Sequence, residues 1–325
     1  MKEIELQHIK FKYPKGDLVF NDFNISFTKN DFVFVLGANG SGKSSLLKLI
    51  LGAANPQSGT IQLQGKTINS IQKKSQLIGY IPQSYGLDHE MYVDDILNFI
   101  GSLHQLSKQE LKERKLYLIE ALGLSHILDK KVKKLSGGQK QLVNIALGLI
   151  HNPEILLIDE PFVGLDYGIK SNIISFLNSI DKTIICVSHD IEMAENNASK
   201  ILLIDKGEIQ DYRTPKEIIE SNPYYLEEID FKTLIDFELN FNNEITALQH
   251  HNRLIVSCPN QAKLIDEIAT FKKEYASKIS STRNSQNNLQ STLVGFNKLS
   301  LTEKNNEKKK GKGKGKGNKK QKKIT

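Results

Sequence analysis

The sequence has little cysteine and no long apolar run. Its 325 residues include two cysteines, Cys186 and Cys258, which are too far apart along the chain to form the disulfide framework of a secreted protein. No window approaches the roughly 18 consecutive apolar residues that cross a bilayer, and the opening residues MKEIELQHIK lack the apolar segment of a signal peptide. These absences predict a cytosolic chain in a reducing compartment, which reaches a membrane only through a partner.

Acidic residues are absent from a strongly basic segment near the end of the chain. Residues 308–323 contain ten lysines, whereas the whole sequence has 44 Lys and Arg against 37 Asp and Glu, a net charge of +7. Without this segment 34 basic side chains face 37 acidic ones, a net charge of about −3. Nucleic-acid binding by the folded part is therefore not expected. Residues 304–325 are predicted to be a disordered Lys/Gly-rich tail, which could be attracted to anionic lipid.

The hydrophobic pattern indicates two folded regions, residues 1–222 and 223–303. In the first region, short apolar runs alternate with segments of helical spacing, which is typical of a largely parallel sheet covered by helices. In the second region the pattern predicts strands over 244–248 and 253–257 and a helix over 261–275. It is therefore expected to be a small α/β appendage, and the pattern assigns no function to it.

Two helices of the first region have recognisable starts. Ser107 and Glu110 fit a capping box, in which the N-cap side chain and the side chain three residues on bond each other's backbone N–H groups. A second amphipathic helix is predicted to start just behind Gly137 and Gly138.

A glycine-rich loop joins a predicted strand, Phe32–Leu36, to a predicted helix, Lys43–Leu51. The loop completes the P-loop pattern G-x-x-x-x-G-K-[ST] with Gly37, Ala38, Asn39, Gly40, Ser41, Gly42, Lys43 and Ser44. Glycines let backbone N–H groups curl around phosphate oxygens, Lys43 is expected to reach the β- and γ-phosphates, and Ser44 to ligate Mg²⁺. A dinucleotide fingerprint is excluded because Ser45 stands where that pattern requires glycine.

An acidic pair follows a second apolar run. Ile155–Ile158 leads directly into Asp159 and Glu160. A carboxylate at the end of a buried parallel strand lies at the sheet edge where nucleotides bind, so Asp159 suits the Mg²⁺ shell and Glu160 suits the activation of water. The alternative is an acidic pair that only ends a strand at the solvent, and the nearby P-loop favours the catalytic interpretation.

Further motifs, in order over about residues 1–222, resemble those of the nucleotide-binding subunit of ATP-binding-cassette (ABC) transporters. Leu135-Ser136-Gly137-Gly138-Gln139 matches the signature sequence of that family. The other matches are Tyr13 for the adenine-stacking aromatic, Gln83 for the Q-loop, Gly164-Leu165-Asp166 for the D-loop and His189 for the switch histidine. The resemblance implies an α/β P-loop NTPase fold of the ABC ATPase type. Such a fold has a RecA-like core, a helical signature subdomain and an N-terminal antiparallel β subdomain, here followed by the C-terminal appendage.

The resemblance also implies ATP and Mg²⁺ as ligands and an ATP-hydrolysing activity. Glu160, His189 and Gln83 take catalytic roles, and Ser44, Gln83 and Asp159 hold the metal. The implied nucleotide contacts are Tyr13, the loop from Gly37 to Ser45, the four residues Ser136, Gly137, Gly138 and Gln139, and Asp166. Taken singly, Tyr13 could be a strand-edge tyrosine, Gln83 a solvated loop residue and His189 a structural histidine.

Partners follow from the resemblance as well. One P-loop and one signature sequence make half of a pair, so a second nucleotide-binding subunit, identical or a close paralogue, is expected to bind head-to-tail and sandwich two ATP molecules. A separate transmembrane permease is expected to hold the pair at the cytoplasmic face of the cell membrane. The sequence from Ile78 to Leu103 most resembles exporter-type subunits, while the turn at residues 13–17 resembles importer subunits. The alternative function is a soluble ABC ATPase that acts on ribosomes or nucleic acid.

Overall fold

The computed structural model describes residues 2–71, 74–83, 89–221, 225–233, 246–250, 253–258 and 261–284. The chain divides into two compact units, Met1–Ser221 and Asn222–Thr325. The Lys-rich segment 304–325 lies outside the described residues. Within the described ranges, every helix is too short or too polar to pass through a bilayer.

The described strands of the first unit form two sheets. They are β1 (Lys2–Lys12), β2 (Leu18–Thr28), β3 (Phe32–Leu36), β4 (Ser58–Leu63), β5 (Lys66–Thr67), β6 (Ile78–Ile81), β7 (Ile155–Asp159), β8 (Thr183–Val187), β9 (Lys200–Asp205) and β10 (Glu208–Arg213). An antiparallel sheet has the order β2-β1-β4-β5. A six-stranded sheet has the order β10-β9-β3-β8-β7-β6 and is parallel except for the β9–β10 pair. The predicted parallel core and N-terminal antiparallel subdomain are both confirmed.

The central strands of the larger sheet are apolar because both of their faces are covered. All five residues of β3 and of β8 are buried, and so are the first four of β7. Since β3, β8, β7 and β6 are parallel neighbours, their carboxyl ends meet at one edge of the sheet. That edge brings together the segments that follow the four strands, and this topology positions the functional site.

The helices of the first unit connect and cover these strands. They are α1 (Lys43–Leu51), α2 (Lys74–Leu77), α3 (Val93–Leu103), α4 (Lys108–Ala121), α5 (Gly137–Leu149), α6 (Tyr167–Ser179), α7 (Ile191–Asn197) and α8 (Pro215–Glu220). The predicted capping box at the start of α4 is present, because Ser107 accepts from the Glu110 N–H and Glu110 accepts from the Ser107 N–H.

The predicted start of α5 is wrong by two residues. The helix begins at Gly137, so both glycines form its first turn and do not precede it. A second capping box fixes this start: the Ser136 hydroxyl accepts from the Gln139 N–H at 3.2 Å, and the Gln139 side chain accepts from the Ser136 N–H at 3.1 Å. These two bonds outweigh the low helix propensity of glycine at the end of the helix.

The second unit contains one helix packed on a sheet within its described residues. The elements are β11 (Tyr225–Phe231), β12 (Thr246–His250), β13 (Arg253–Cys258), α9 (Gln261–Tyr275) and β14 (Ile279–Asn284). The strands are antiparallel in the order β12-β13-β11-β14. Leu264, Ile268 and Phe271 of α9 are buried in a core with residues of β11 and β13. The sequence pattern predicts the helix and two of these strands, but it does not reveal β11 or β14.

Candidate nucleotide-binding site

The P-loop runs from the end of β3 to the start of α1, as the sequence predicts. Gly40 and Gly42 have positive φ angles of 81° and 110°, which L-residues rarely adopt. Gly37 is needed for space, because a Cβ atom there would lie 2.2 Å from the Ile204 carbonyl oxygen. The loop backbone therefore depends on its glycines for two separate reasons, conformation and close packing.

Lys43 is buried at the base of the loop, with 6% of its surface exposed. Its ammonium group donates hydrogen bonds to the carbonyl oxygens of Gly37 and Ala38 at 2.8 and 2.9 Å. Burial lowers the pKa of Lys43, and the carboxylates of Glu160 and Asp159 oppose this shift. The structure thus holds one cation against the loop and close to two carboxyl groups.

Asp159, the last residue of β7, faces the first turn of α1. The Ser44 and Asp159 side chains line the same cavity, and burial raises the pKa of Asp159 while its interactions with Ser44 and Lys43 lower it. A carboxylate and a hydroxyl that meet in this way are the hard oxygen donors that suit Mg²⁺. The pair predicted from two distant segments is therefore assembled by the parallel sheet.

Glu160 has a strained backbone and a shielded side chain. Its φ is 50°, and its N–H donates to the Val187 carbonyl at 2.9 Å, which ties the turn to β8. The Glu160 side chain is 12% exposed, and its Oε1 lies 3.1 Å from the Nε2 of His189. Burial raises the pKa of Glu160 to about 7, against the opposing effects of Lys43 and the His189 backbone. Burial and Lys43 lower the pKa of His189.

The raised pKa of Glu160 predicts a pH-dependent stability. A carboxyl whose pKa is about 7 in the folded chain and 4.5 in the unfolded chain stabilises the fold below pH 4.5, and this contribution is lost as pH rises to about 7. The free energy of unfolding of the wild type, measured relative to that of Glu160→Gln, should therefore fall by about 2 kcal/mol between pH 5 and pH 8. This value is smaller than the full pKa shift implies, because solvent screens the partly exposed carboxyl group. Denaturant titrations followed by circular dichroism measure this difference, and a flat difference contradicts it.

A cavity of about 410 Å³ joins these groups at the sheet edge. Its lining contains predicted residues from five segments, namely Tyr13, Asn39, Gly40, Gly42, Lys43, Ser44, Ser45, Gln83, Asp159, Glu160 and His189. Val19, Val163 and Val187 complete the lining among the described residues, and the sequence pattern does not single them out. Gly37, Ala38 and Ser41 do not line it. The first two accept from Lys43, and Ser41 is 3% exposed.

Tyr13 is held at the rim of this cavity. Its hydroxyl lies 3.1 Å from the Ser45 hydroxyl, and its ring makes an edge contact with Phe11 at 5.0 Å between centroids. The Lys48 ammonium lies 5.5 Å from the centre of the Tyr13 ring. These contacts orient a half-buried aromatic ring beside the P-loop.

The signature segment, Leu135–Gln139, lies elsewhere. None of its residues is among the described residues that line the 410 Å³ cavity, and neither is Asp166. Ser136 caps α5, and Asp166 caps α6 by accepting from the Ile169 N–H at 3.0 Å. In this cap the Ser136 hydroxyl oxygen accepts a hydrogen bond, and its hydroxyl proton can still be donated to another group. The chain therefore presents a second set of polar groups apart from its own P-loop.

Sequence reasoning missed Gln141 and Asn144 on α5. Both are buried, and the Asn144 side chain donates to the Gln141 side chain at 3.2 Å. Gln141 Nε2 and Asn144 Oδ1 have no hydrogen-bond partner in the described part of the chain. They line a second cavity of about 230 Å³, which shares Gln83 and Val163 with the larger cavity. The sequence feature that could have revealed them is a pair of amide side chains at positions i and i+3 on an otherwise apolar face of the helix.

Comparisons with known proteins identify relatives of this chain. Residues 20–163 match the family described as ABC transporter. The ergothioneine transport ATP-binding protein EgtV of Helicobacter pylori (strain G27) is 39% identical over 210 residues, which are 63% of this chain and 98% of that protein. The spermidine/putrescine import ATP-binding protein PotA of Haemophilus influenzae (strain ATCC 51907 / DSM 11121 / KW20 / Rd) is 33% identical over 221 residues, which are 67% of this chain and 59% of PotA.

A solved structure shares the fold. That of cbiO1 from Clostridium perfringens, described as part of the ABC transporter complex cbiONQ, superposes with a TM-score of 0.62 at 27% identity. The match covers 68% of this chain and 91% of cbiO1. The sequence and structural comparisons thus point to the same kind of protein.

Proposed function

This chain belongs to the family of ABC transporter ATP-binding proteins, and we propose that its residues 1–222 are the ATPase domain that powers a transporter. The chain is an ATPase of that family. The cavity at the carboxyl ends of β3, β8, β7 and β6 carries the proposal, because it joins a P-loop, an acidic pair and His189 in one place. Residues 223–303 form an accessory domain in this proposal.

Glu160 is the residue proposed to activate the attacking water. A pKa of about 7 leaves its carboxyl able to take a proton near neutral pH, and a nearly buried position keeps bulk water away. The neighbouring His189, 3.1 Å from Glu160, orients that carboxyl and is proposed to contact the γ-phosphate. Gln83, which lines the same cavity, is proposed to orient the water through its amide oxygen.

Nucleotide binding is divided among several elements in this proposal. Lys43 neutralises the β- and γ-phosphates, and Tyr13 supports the adenine with a ring fixed by its bond to Ser45. Ser44, Asp159 and Gln83 would hold Mg²⁺, which neutralises charge that develops on the phosphates when it is bound. The position of Ser44 and Asp159 in the lining of one cavity supports this assignment, because it places two oxygen ligands together.

The signature segment is proposed to act on ATP held by a second subunit. Its separation from the cavity of its own chain supports this arrangement. Ser136, Gly137, Gly138 and Gln139 lie at the N-terminus of the 13-residue helix α5, where the free N–H groups and the helix dipole attract a phosphate. Asp166, at the start of α6, belongs to the same dimer surface in the proposal. Two chains, identical or paralogous, would close head-to-tail on two ATP molecules and reopen after hydrolysis.

A separate transmembrane permease is the proposed second partner, and it would hold the pair at the cytoplasmic face of the membrane. The Lys-rich segment 304–325 is proposed to add attraction to anionic lipid. Export is the proposed direction, from the similarity of residues 78–103 to exporter-type subunits. The name of PotA, a spermidine/putrescine import protein, favours import as the second candidate.

Purification from detergent-solubilised membranes tests the transporter proposal. We expect a polytopic membrane protein to copurify in stoichiometric amounts with the tagged chain, and ATP to drive a solute across vesicles that contain both proteins. A chain that lacks residues 304–325 is the control, and it should retain the membrane protein although it loses lipid attraction. Recovery with ribosomes and without a membrane protein would instead support the soluble alternative.

A further inference from the structure

A cavity of about 400 Å³ lies at the edge of the six-stranded sheet opposite the nucleotide site. Lys29, Glu154 and Lys182 in its lining come before β3, β7 and β8, whereas the nucleotide cavity follows the other ends of the same strands. Its volume is close to the 410 Å³ of the nucleotide cavity. The cavity is therefore large enough for a small molecule and is distinct from the proposed catalytic centre.

Arg114 of α4 supplies a partly buried cation to this cavity. One of its terminal nitrogens donates to the Leu149 carbonyl at 2.9 Å, and its guanidinium carbon lies 5.1 Å from the centre of the Tyr117 ring. The Nε of Arg114 is buried and has no hydrogen-bond partner among the described residues. Burial lowers the pKa of Arg114. Arg114 thus interacts favourably with the carboxyl end of α5, but it keeps an unused donor at Nε and has no carboxylate partner among the described residues.

Lys182 adds a second cation without a direct partner. No carboxylate of the described chain lies within ion-pair distance of its ammonium group, and burial is the largest of the effects that lower its pKa. Glu154 and Asp181 oppose this shift, while Arg114 and Lys29 add to it. At the rim, Glu154 is already engaged by Lys29 at 3.7 Å, with both side chains half exposed. Arg114 and Lys182, both partly buried, thus share the lining with the carboxylates of Asp181 and Glu154. Among the described residues of the lining, the ion pair between Lys29 and Glu154 lies at the exposed rim.

His151 lies near the same two cations, although it does not line the cavity. Its Nε2 lies 3.1 Å from the Ile78 carbonyl, and its Nδ1 is buried without a partner among the described residues. The pKa of His151 is lowered to about 4, mainly by burial and further by the nearby His104, Arg114 and Lys182. An anion in this cavity would pair with Arg114 and Lys182, two partly buried cations that have no carboxylate within ion-pair distance among the described residues.

We propose that this cavity binds a small organic oxyanion, with its carboxylate or phosphate group between Arg114 and Lys182. Arg114 offers the terminal N–H donors that Leu149 does not use, and Lys182 adds a point charge. Tyr117 and Phe176, whose rings lie 6.5 Å apart, line the same cavity and offer contact to the apolar part of the ligand. Leu149 is the last residue of α5, so the helix dipole at this end opposes an anion, and Arg114, which donates to the Leu149 carbonyl, offsets that effect.

Calorimetric titration with inorganic phosphate, acetate and benzoate tests this site. The titrations use the full chain with Lys43→Met, which removes the main phosphate ligand of the P-loop. We expect at least one of the three anions to bind, and benzoate to bind more tightly than acetate if the aromatic wall is used. Tighter binding of phosphate than of benzoate would identify a phosphate ligand, and the reverse order a carboxylate.

Variants of Arg114 and Lys182 distinguish a specific anion-binding site from non-specific attraction of anions to a basic protein surface. Arg114→Met and Lys182→Met should each weaken binding about tenfold or more, since each removes a charged hydrogen bond. Lys112→Met, at an exposed position of the same helix, should leave binding unchanged. If Arg114→Met is misfolded by circular dichroism, Lys182→Met alone decides. Absence of binding by all three anions, or equal losses in Lys112→Met and Lys182→Met, would overturn the proposal.

Discussion

Replacement of Glu160 by glutamine is expected to lower ATPase turnover at saturating Mg·ATP at least about 100-fold, because a positioned general base typically contributes a factor of 10² to 10⁴. Glutamine keeps the size of the side chain but cannot accept the proton of the attacking water. ATP affinity should change little, since Lys43 and the P-loop backbone are untouched. Phosphate release and equilibrium binding of ATP measure the two quantities separately.

Two further variants sharpen this test. Glu160→Asp keeps a carboxylate but withdraws it by one methylene group from its position 3.1 Å from His189, so its turnover should lie between those of the wild type and Glu160→Gln. Glu192→Gln changes an exposed carboxylate on α7 and should leave turnover unaltered. A Glu160→Gln chain with undiminished turnover would contradict the catalytic assignment of this residue.

Replacement of Gly137 by aspartate is expected to abolish ATP-dependent dimerisation while the chain still folds and binds ATP. A Cβ atom at Gly137 would meet no atom within 4 Å, so the larger side chain fits. An acidic residue in the first turn of α5 also stabilises the helix. In the proposed dimer, however, the same carboxylate would face the γ-phosphate of the partner's ATP. Two negative charges about 4 Å apart cost about 4 kcal/mol at an effective dielectric constant of 20.

Light scattering with chains that also carry Glu160→Gln measures this effect, because slow hydrolysis should let the closed dimer accumulate with ATP. Gly137→Asn is the matched control, since it has nearly the same shape without the charge, and it should retain most of the dimer. In the otherwise wild-type chain, turnover of Gly137→Asp should fall at least about 100-fold. Equal dimerisation of the aspartate and asparagine variants would argue against a phosphate contact in trans.

Local chemistry made several features predictable from the sequence. The P-loop, the capping box at Ser107 and the apolar strand Phe32–Leu36 depend on residues close together in the chain, and all three are present. The apolar spacing places the start of α5 just behind Gly138, whereas the bonds between Ser136 and Gln139 determine the boundary. Strands β11 and β14 were missed, since β11 contains three acidic residues and β14 is rich in polar residues.

By itself, the sequence determined which residues are candidates for the chemistry, because the P-loop and the acidic pair are contiguous patterns with a direct physical meaning. Only the tertiary structure decided how they meet. The order β3-β8-β7-β6 places segments that are far apart in the chain at one sheet edge, and the burial created there raises the pKa of Glu160 to about 7. It also decided what stays apart, since the signature segment does not line the cavity of its own P-loop and Arg114 lies at the opposite edge of the sheet. Such separations depend on long-range strand pairing, which no local pattern encodes.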